Sequence, residues 1–242
     1  MHRSLRLVQE ETLALRICIA LLCSFALTAC GIPKDPEGTL DRVTGSVMRV
    51  GVTDAPPWVE VTDQGPEGIE VALVEDFARS IDADIEWIEG SEAELAQAVF
   101  LGEIDLMIGG LTTASTLASE VTLTHPYVTT ATVVAVPDDM DVPDDIAGVE
   151  VAAEMGSAEA GLLSKTDAEV LRVDDITTHD GPMAVEDIFL DDLAMTDTGI
   201  RLQESDHAMG VPHGENAWLV ALEKFLLDNV GLVHRLVEEA QP

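Results

Sequence analysis

The chain has 242 residues, with 46 acidic side chains against 12 basic ones and a formal net charge of −34. That balance excludes a nucleic acid partner, because neutralising phosphates needs clusters of Lys and Arg, and it repels the anionic face of a membrane. Such acidity describes either a salt-adapted surface or a field that attracts cations to a cleft. The acids are spread along the whole sequence, which favours the solvated surface, more stable with salt present.

At the N-terminus, Arg3, Arg6 and Arg16 precede ten uncharged residues, Ile17 to Ala26. A basic segment followed by a short apolar run and small residues is the pattern of an export signal. A membrane span needs about 20 apolar residues, and Arg16 leaves too few. Leu27-Thr28-Ala29-Cys30 resembles the lipobox of bacterial lipoproteins. The resemblance implies removal of residues 1–29 and lipidation of Cys30, holding the chain at the outer face of the cytoplasmic membrane or in the periplasm. More than one acyl chain suffices for stable attachment where a single chain is marginal. Cleavage removes three arginines and two glutamates, leaving nine basic and 44 acidic residues, a charge of −35. Cys18 and Cys23 leave with the signal, so the exported chain has no disulfide, thiol nucleophile or cysteine metal cluster. Residues 30–46, with Pro33, Pro36 and Gly38, read as a tether.

Val47 to Val52 is a β-branched strand that ends at Asp54-Ala55-Pro56-Pro57-Trp58, a turn stiffened by proline. Ile69, Leu73, Phe77 and Ile81 recur at four-residue spacing and predict a helix over 68–82. Asp84 to Glu89 alternates as a strand. Ser91 and Glu94 form a capping box ahead of a helix with Leu95, Val99 and Phe100 on its apolar face. Ile104 to Ile108 is a short buried strand closed by Gly109-Gly110. This βαβαβ rhythm implies a parallel sheet with helices on its faces.

Val128 to Val136 is a long β-branched run, and the acidic, proline-bearing stretch 137–145 marks a boundary. Beyond it the sequence predicts a strand at Val149 to Ala153, a turn at Gly156-Ser157, and a helix to Lys165. Strands follow at Glu169 to Val173, Met183 to Glu186 and Ile200 to Leu202, with a helix from Asp187 to Met195. His207 to Val211 reads as a second crossing strand, and helices at 215–228 and 232–240 close the chain.

The order MRVGVTDAPPW, GIEVALVEDFA, GEIDLMIGGLT, VTLTHPYVTT resembles the extracellular solute-binding proteins of polar amino acid ABC transporters, from Met48 to the C-terminus. The resemblance implies an α/β, two-lobed type 2 periplasmic-binding fold with hinge-crossing strands. The first lobe would span 47–136 and the second 137–206, with 207–242 returning to the first. Gly110 and Thr112 match positions that hydrogen-bond the ligand. Gly156-Ser157 matches the pair that receives a carboxylate, at a helix start whose N–H groups suit an anion. Glu186 matches the carboxylate that binds an ammonium. Each also has a plain structural reading, as a turn, a cap or a surface acid.

Three departures stand out. The family arginine that clamps the α-carboxylate lies seven residues after the position of Gly110, where this chain has Leu117. Bidentate guanidinium pairing has no aliphatic substitute. The aromatic pair that sandwiches the ligand aligns with Ala55 and Glu92, leaving Trp58 nearby. Set against the family, which has a helix there, and against usual crossover lengths, the second lobe is about ten residues short between Ile176 and Met183, so 177–182 is a loop. The five histidines after the signal lack metal-ligand spacing, so neither a metal nor a cofactor is expected.

Three functions remain open at this point. The first is a lipid-anchored monomer that captures a small polar molecule, not a standard α-amino acid, for a membrane permease. Trp58, Glu92, Gly110, Thr112, Ser157 and Glu186 would form its site. The second is an accessory or sensory subunit of a membrane complex with a vestigial cleft. The third is a dehydratase on the same scaffold, which Leu117 opposes.

Overall fold

The computed structural model describes residues 35–239. The segment read as an export signal, and Cys30, lie outside the described residues. Part of the expected tether is folded. Helix α1 (Thr39–Val43) docks with Thr39 and Val43 buried, and the Glu215 carboxylate accepts the amides of Glu37 and Thr39 at 2.9 and 3.0 Å. A carboxylate at a helix start satisfies donors that the helix itself leaves unpaired.

Strand β1 (Val47–Val52) carries Met48, Val50 and Val52 into the core. It runs parallel to both β4 (Asp84–Glu89) and β5 (Leu106–Ile108). Between β1 and β4 come a small hairpin, β2 (Glu60–Thr62) with β3 (Gly65–Glu67), and helix α2 (Ile69–Ser80). Helix α2 buries Ile69, Leu73 and Phe77, each contributing about 1.5–3 kcal/mol of transfer free energy. Gly68 precedes it at φ +122, where a Cβ would sit 2.7 Å from the Trp58 carbonyl. Only glycine lets the chain enter the helix there. Helix α3 (Glu92–Phe100) starts at the capping box that Ser91 and Glu94 predict. Short antiparallel strands β6 (Thr122–Leu123) and β12 (Gly210–Val211) complete a five-stranded sheet, ordered β4-β1-β5-β12-β6.

The second sheet is ordered β11-β7-β10-β8-β9. Its members are β7 (Val128–Pro137), β8 (Glu150–Glu154), β9 (Glu169–Val173), β10 (Met183–Glu186) and β11 (Met195–His207). Helix α4 (Ala158–Leu163) covers one face, burying Ala160 and Leu163. Among the described residues no α-helix covers the other face. The link from β9 to β10 is a 3-10 turn at Ile176–Thr178 followed by loop, and Met183, Val185 and Met195 are covered instead by Ile176, Leu190 and Leu193.

Several expectations need correction. Strand β7, placed at the end of the first lobe, has both edges bonded to second-sheet strands, β10 and β11. No helix runs from Asp187 to Met195. A 3-10 turn at Asp187–Phe189 forms, with the Asp187 carboxylate accepting the Ala131 amide at 3.0 Å, and Ala194 at φ +50 ends the segment. The second crossing strand begins at Met195, twelve residues before His207. It pairs with β7 from Met195↔Pro137 to His207↔Val128, with two register shifts. Its polar sequence lacks strand propensity; the ladder along β7 orders it, at a sheet edge where polar residues are tolerated.

The chain therefore crosses between the sheets twice, at Leu123–Val128 and at His207–Gly210. Helices α5 (Asn216–Asp228) and α6 (Val230–Glu239) return to the first sheet. There Trp218, Leu222, Leu226 and Val233 share a core with Val50, Leu73 and Phe77.

Candidate ligand-binding cleft

In open α/β sheets, ligands bind beyond the carboxyl ends of the parallel strands. Here a cleft of about 260 Å³ lies at the carboxyl ends of the parallel strands of the second sheet, with Pro56 reaching it from the turn after β1. The second sheet supplies Glu154 from the end of β8, Glu186 from the end of β10, and Ser157 and Glu159 from the start of α4. The first supplies Pro56, from the turn after β1, while Ile176 and Phe189 form apolar wall. Pockets for drug-sized ligands run from about 300 Å³ upward, so this cleft suits a smaller solute.

Of the residues the sequence nominated, Ser157 and Glu186 meet here. The Ser157 hydroxyl is occupied: it caps α4, accepting the Ala160 amide at 3.3 Å. Helix α4 has only six residues and carries Glu159 in its first turn, so the surroundings expected to receive a carboxylate are already negative. Glu186 is half-buried and has no hydrogen-bond or ionic partner among the described residues. Burial pushes its pKa up to about 7, with further repulsion from Glu159 and Asp187.

Trp58, Gly110 and Thr112 meet elsewhere, around a residue that sequence reasoning passed over. The Trp58 ring, 4% exposed, stacks on His207 with centroids 3.8 Å apart and stands edge-on to Tyr127 at 6.2 Å. Gly110 sits against it at φ +67, where a Cβ would come within 2.7 Å of Trp58 Cδ1. Thr112 bridges His207 through the backbone. His207 in turn shares a 3.0 Å hydrogen bond with the Thr130 hydroxyl through Nε2, and its Nδ1 has no partner among the described residues. Burial holds its pKa down at about 4, so the ring is neutral near pH 7. Trp58 thus belongs to the packing where the chain crosses between sheets, not to the cleft lining. Glu92 stands apart from both groups, exposed in the first turn of α3, with the Ser115 hydroxyl 3.4 Å from its carboxylate.

Glu70 was also missed. Wholly buried on α2, its carboxylate accepts the Gly109 and Gly110 amides at 2.7 and 2.8 Å and the Tyr127 hydroxyl at 2.7 Å. Burial raises its pKa despite these three donors, and burial beside this carboxylate pushes the Tyr127 hydroxyl well up. The signal was present in the sequence: Glu70 is an acid among Ile69, Val71, Leu73 and Val74 at a helix start.

Leu117, at the position where the resemblance expects an arginine, lies in a 3-10 turn and packs against the core of Leu95, Val99 and Met107. A larger depression, about 510 Å³, lies by the amino ends of β1 and β5 and contains Arg42 and Arg49. Both guanidiniums are committed to the buried Asp105 carboxylate, each at 2.6 Å. Burial pushes the Asp105 pKa up, but hydrogen bonds from Arg49 and Arg42 outweigh it and leave the value low. Pro36, Glu37 and Thr39 of the N-terminal segment form part of its wall.

Two open α/β sheets, crossed twice by the chain and facing a common cleft, define a two-lobed fold of the type 2 periplasmic-binding kind. The chain belongs to the bacterial extracellular solute-binding proteins, family 3, whose sequence profile matches residues 48–230. Among solved structures, an ancestral cationic amino acid solute-binding protein superposes with a TM-score of 0.69 at 18% identity, covering 85% of this chain and 100% of that one. The L-cystine solute receptor of Neisseria gonorrhoeae, in its unliganded open conformation, gives 0.69 at 14% identity, covering 84% and 96%. At these identities the likeness establishes the fold. The membrane-bound lytic murein transglycosylase F of Vibrio cholerae is 28% identical over 92 residues, which make up 37% of this chain and 17% of that protein. Among the described residues no helix is long and apolar enough to cross a membrane.

Proposed function

We propose that this chain is the receptor of an ABC-type importer, a non-enzymatic protein anchored by lipid at Cys30. It captures a small polar solute outside the cytoplasmic membrane and presents it to a permease, and the solute is not a standard α-amino acid. The observation that carries this reading is the cleft at the strand ends of the second sheet, closed on one side by Pro56, in a solute-binding family, combined with Leu117 packed against the core of Leu95, Val99 and Met107 where a carboxylate clamp is expected. A second reading, an accessory subunit of a membrane complex, draws support from the thin cover of the second sheet at Ile176–Thr178.

A thermal-shift screen of amines, sugars, organic acids and amino acids at fixed ionic strength separates the two. A ligand that binds only the folded state stabilises it by about 2.7 kcal/mol at a hundredfold excess over Kd. The receptor reading expects at least one stabilising solute and none among the standard amino acids. Silence across every class, together with co-purification of a membrane protein other than a permease, favours the accessory role. Anchoring is tested separately: intact mass spectrometry should find the mature protein starting at an acylated Cys30, and an unmodified or different N-terminus would contradict it.

A further inference from the structure

The cleft lining carries charge of one sign. Glu154, Glu159 and Glu186 face it, and no Lys, Arg or His contributes to its wall. None of the three carboxylates has a hydrogen-bond or ionic partner among the described residues, whereas Asp105 and Glu70 elsewhere are fully engaged. A carboxylate half-withdrawn from water without a partner is costly. Protonation relieves that cost in the empty cleft, and a bound cation relieves it with the carboxylate ionised. Around the acids, Pro56, Ile176, Val185 and Phe189 offer apolar surface to a carbon skeleton. A ligand carboxylate would find no counter-charge here, and would face repulsion.

Resting on the receptor reading, we propose that the cleft takes a small organic ammonium lacking a carboxylate, its nitrogen against Glu186 and Glu159 and its carbon chain against Phe189 and Ile176. Glu186 is the specificity-determining residue: it is half-buried at the end of β10, where burial opposes its charge, whereas Glu154 is exposed. The charged groups that face it are Glu159 on α4, Glu154 at the end of β8 and its neighbour Asp187, all of one sign, while the first sheet contributes Pro56. Binding a cation therefore favours the ionised Glu186. Since burial places its pKa at about 7, binding at pH 7 releases roughly half a proton from this group.

Calorimetry on the chain from Cys30 onward, with matched pairs, tests this directly: 1,4-diaminobutane against ornithine, 1,5-diaminopentane against lysine, agmatine against arginine. Each pair differs by one carboxylate. One-to-one binding of at least one amine, with its amino acid at least tenfold weaker, is the expected result. Repeating the titration in buffers of different ionisation enthalpy should show proton release at pH 7, fading by pH 9. Glu186→Gln should weaken the amine at least tenfold, and Glu159→Gln serves the same purpose should Glu186→Gln not fold. Asp63→Asn, an exposed charge loss in the β2–β3 turn, should leave affinity unchanged and so exclude diffuse attraction by the acidic surface.

An amino acid that binds as well as its amine, or a neutral or anionic solute that binds where amines do not, overturns this inference and leaves the receptor reading intact. Binding of no compound in any class overturns both.

Discussion

Glu70 shows how a single residue can fix the geometry of a turn. Its carboxylate holds the Gly109-Gly110 amides and the Tyr127 hydroxyl, and Gly110 in turn lies against Trp58. Glu70→Ala leaves three buried donors without an acceptor, each costing about 1–3 kcal/mol. Chemical denaturation should therefore show a loss of about 3 kcal/mol or more, with a smaller loss for Glu70→Gln, which keeps an acceptor in place. A loss below about 0.5 kcal/mol for the alanine variant would contradict this role. Single residues were unevenly readable in the sequence. Ser157, the cap of α4, and Glu186, at the end of β10, were nominated by the family resemblance, and they meet in the cleft. Trp58 and His207 stack because the second crossing passes beside the turn after β1, bringing residues 149 positions apart together, and nothing local encodes that contact. Leu117 was identifiable as a departure, but its packing against Leu95, Val99 and Met107 required the fold.

Among the elements, those formed by strong local pattern were readable nearly to the residue. Strands β1, β4, β9 and β10 occupy the spans their β-branched or alternating residues predict, and α3 begins at its capping box. Strand β11 was not readable, because Thr196-Asp197-Thr198-Gly199 and Gln203-Glu204-Ser205-Asp206 are loop-like in isolation. Their order comes from the ladder along β7. Helix α1 was hidden for a similar reason. Five residues do not nucleate a helix alone, and its amides are satisfied from Glu215, 176 positions away from Thr39. Removing that tie should release the segment without unfolding the rest. In Glu215→Ala, hydrogen exchange at the Glu37 and Thr39 amides should accelerate at least about fivefold, corresponding to the roughly 1 kcal/mol of a lost cap. Exchange rates equal to those of the parent protein would contradict the assignment.

For the whole molecule, two sheets share a cleft and are joined by two crossings packed around Trp58, Tyr127 and His207. The βαβαβ order made the first sheet and the two-lobed architecture readable. It did not reveal that β7 belongs with the second sheet, since sheet membership is a matter of partners, not of local sequence. A receptor that works through such a cleft must bind one relative placement of its lobes better than another, since a ligand shifts only an equilibrium in which its affinity differs. Small-angle X-ray scattering of the chain from Cys30 onward, with and without a saturating amount of the compound that stabilises it most, measures that difference directly. Closure over the ligand should lower the radius of gyration in the parent protein, and Glu186→Gln at the same concentration should retain the unliganded value. A stabilising compound that binds one-to-one and leaves the scattering curve unchanged would contradict the account.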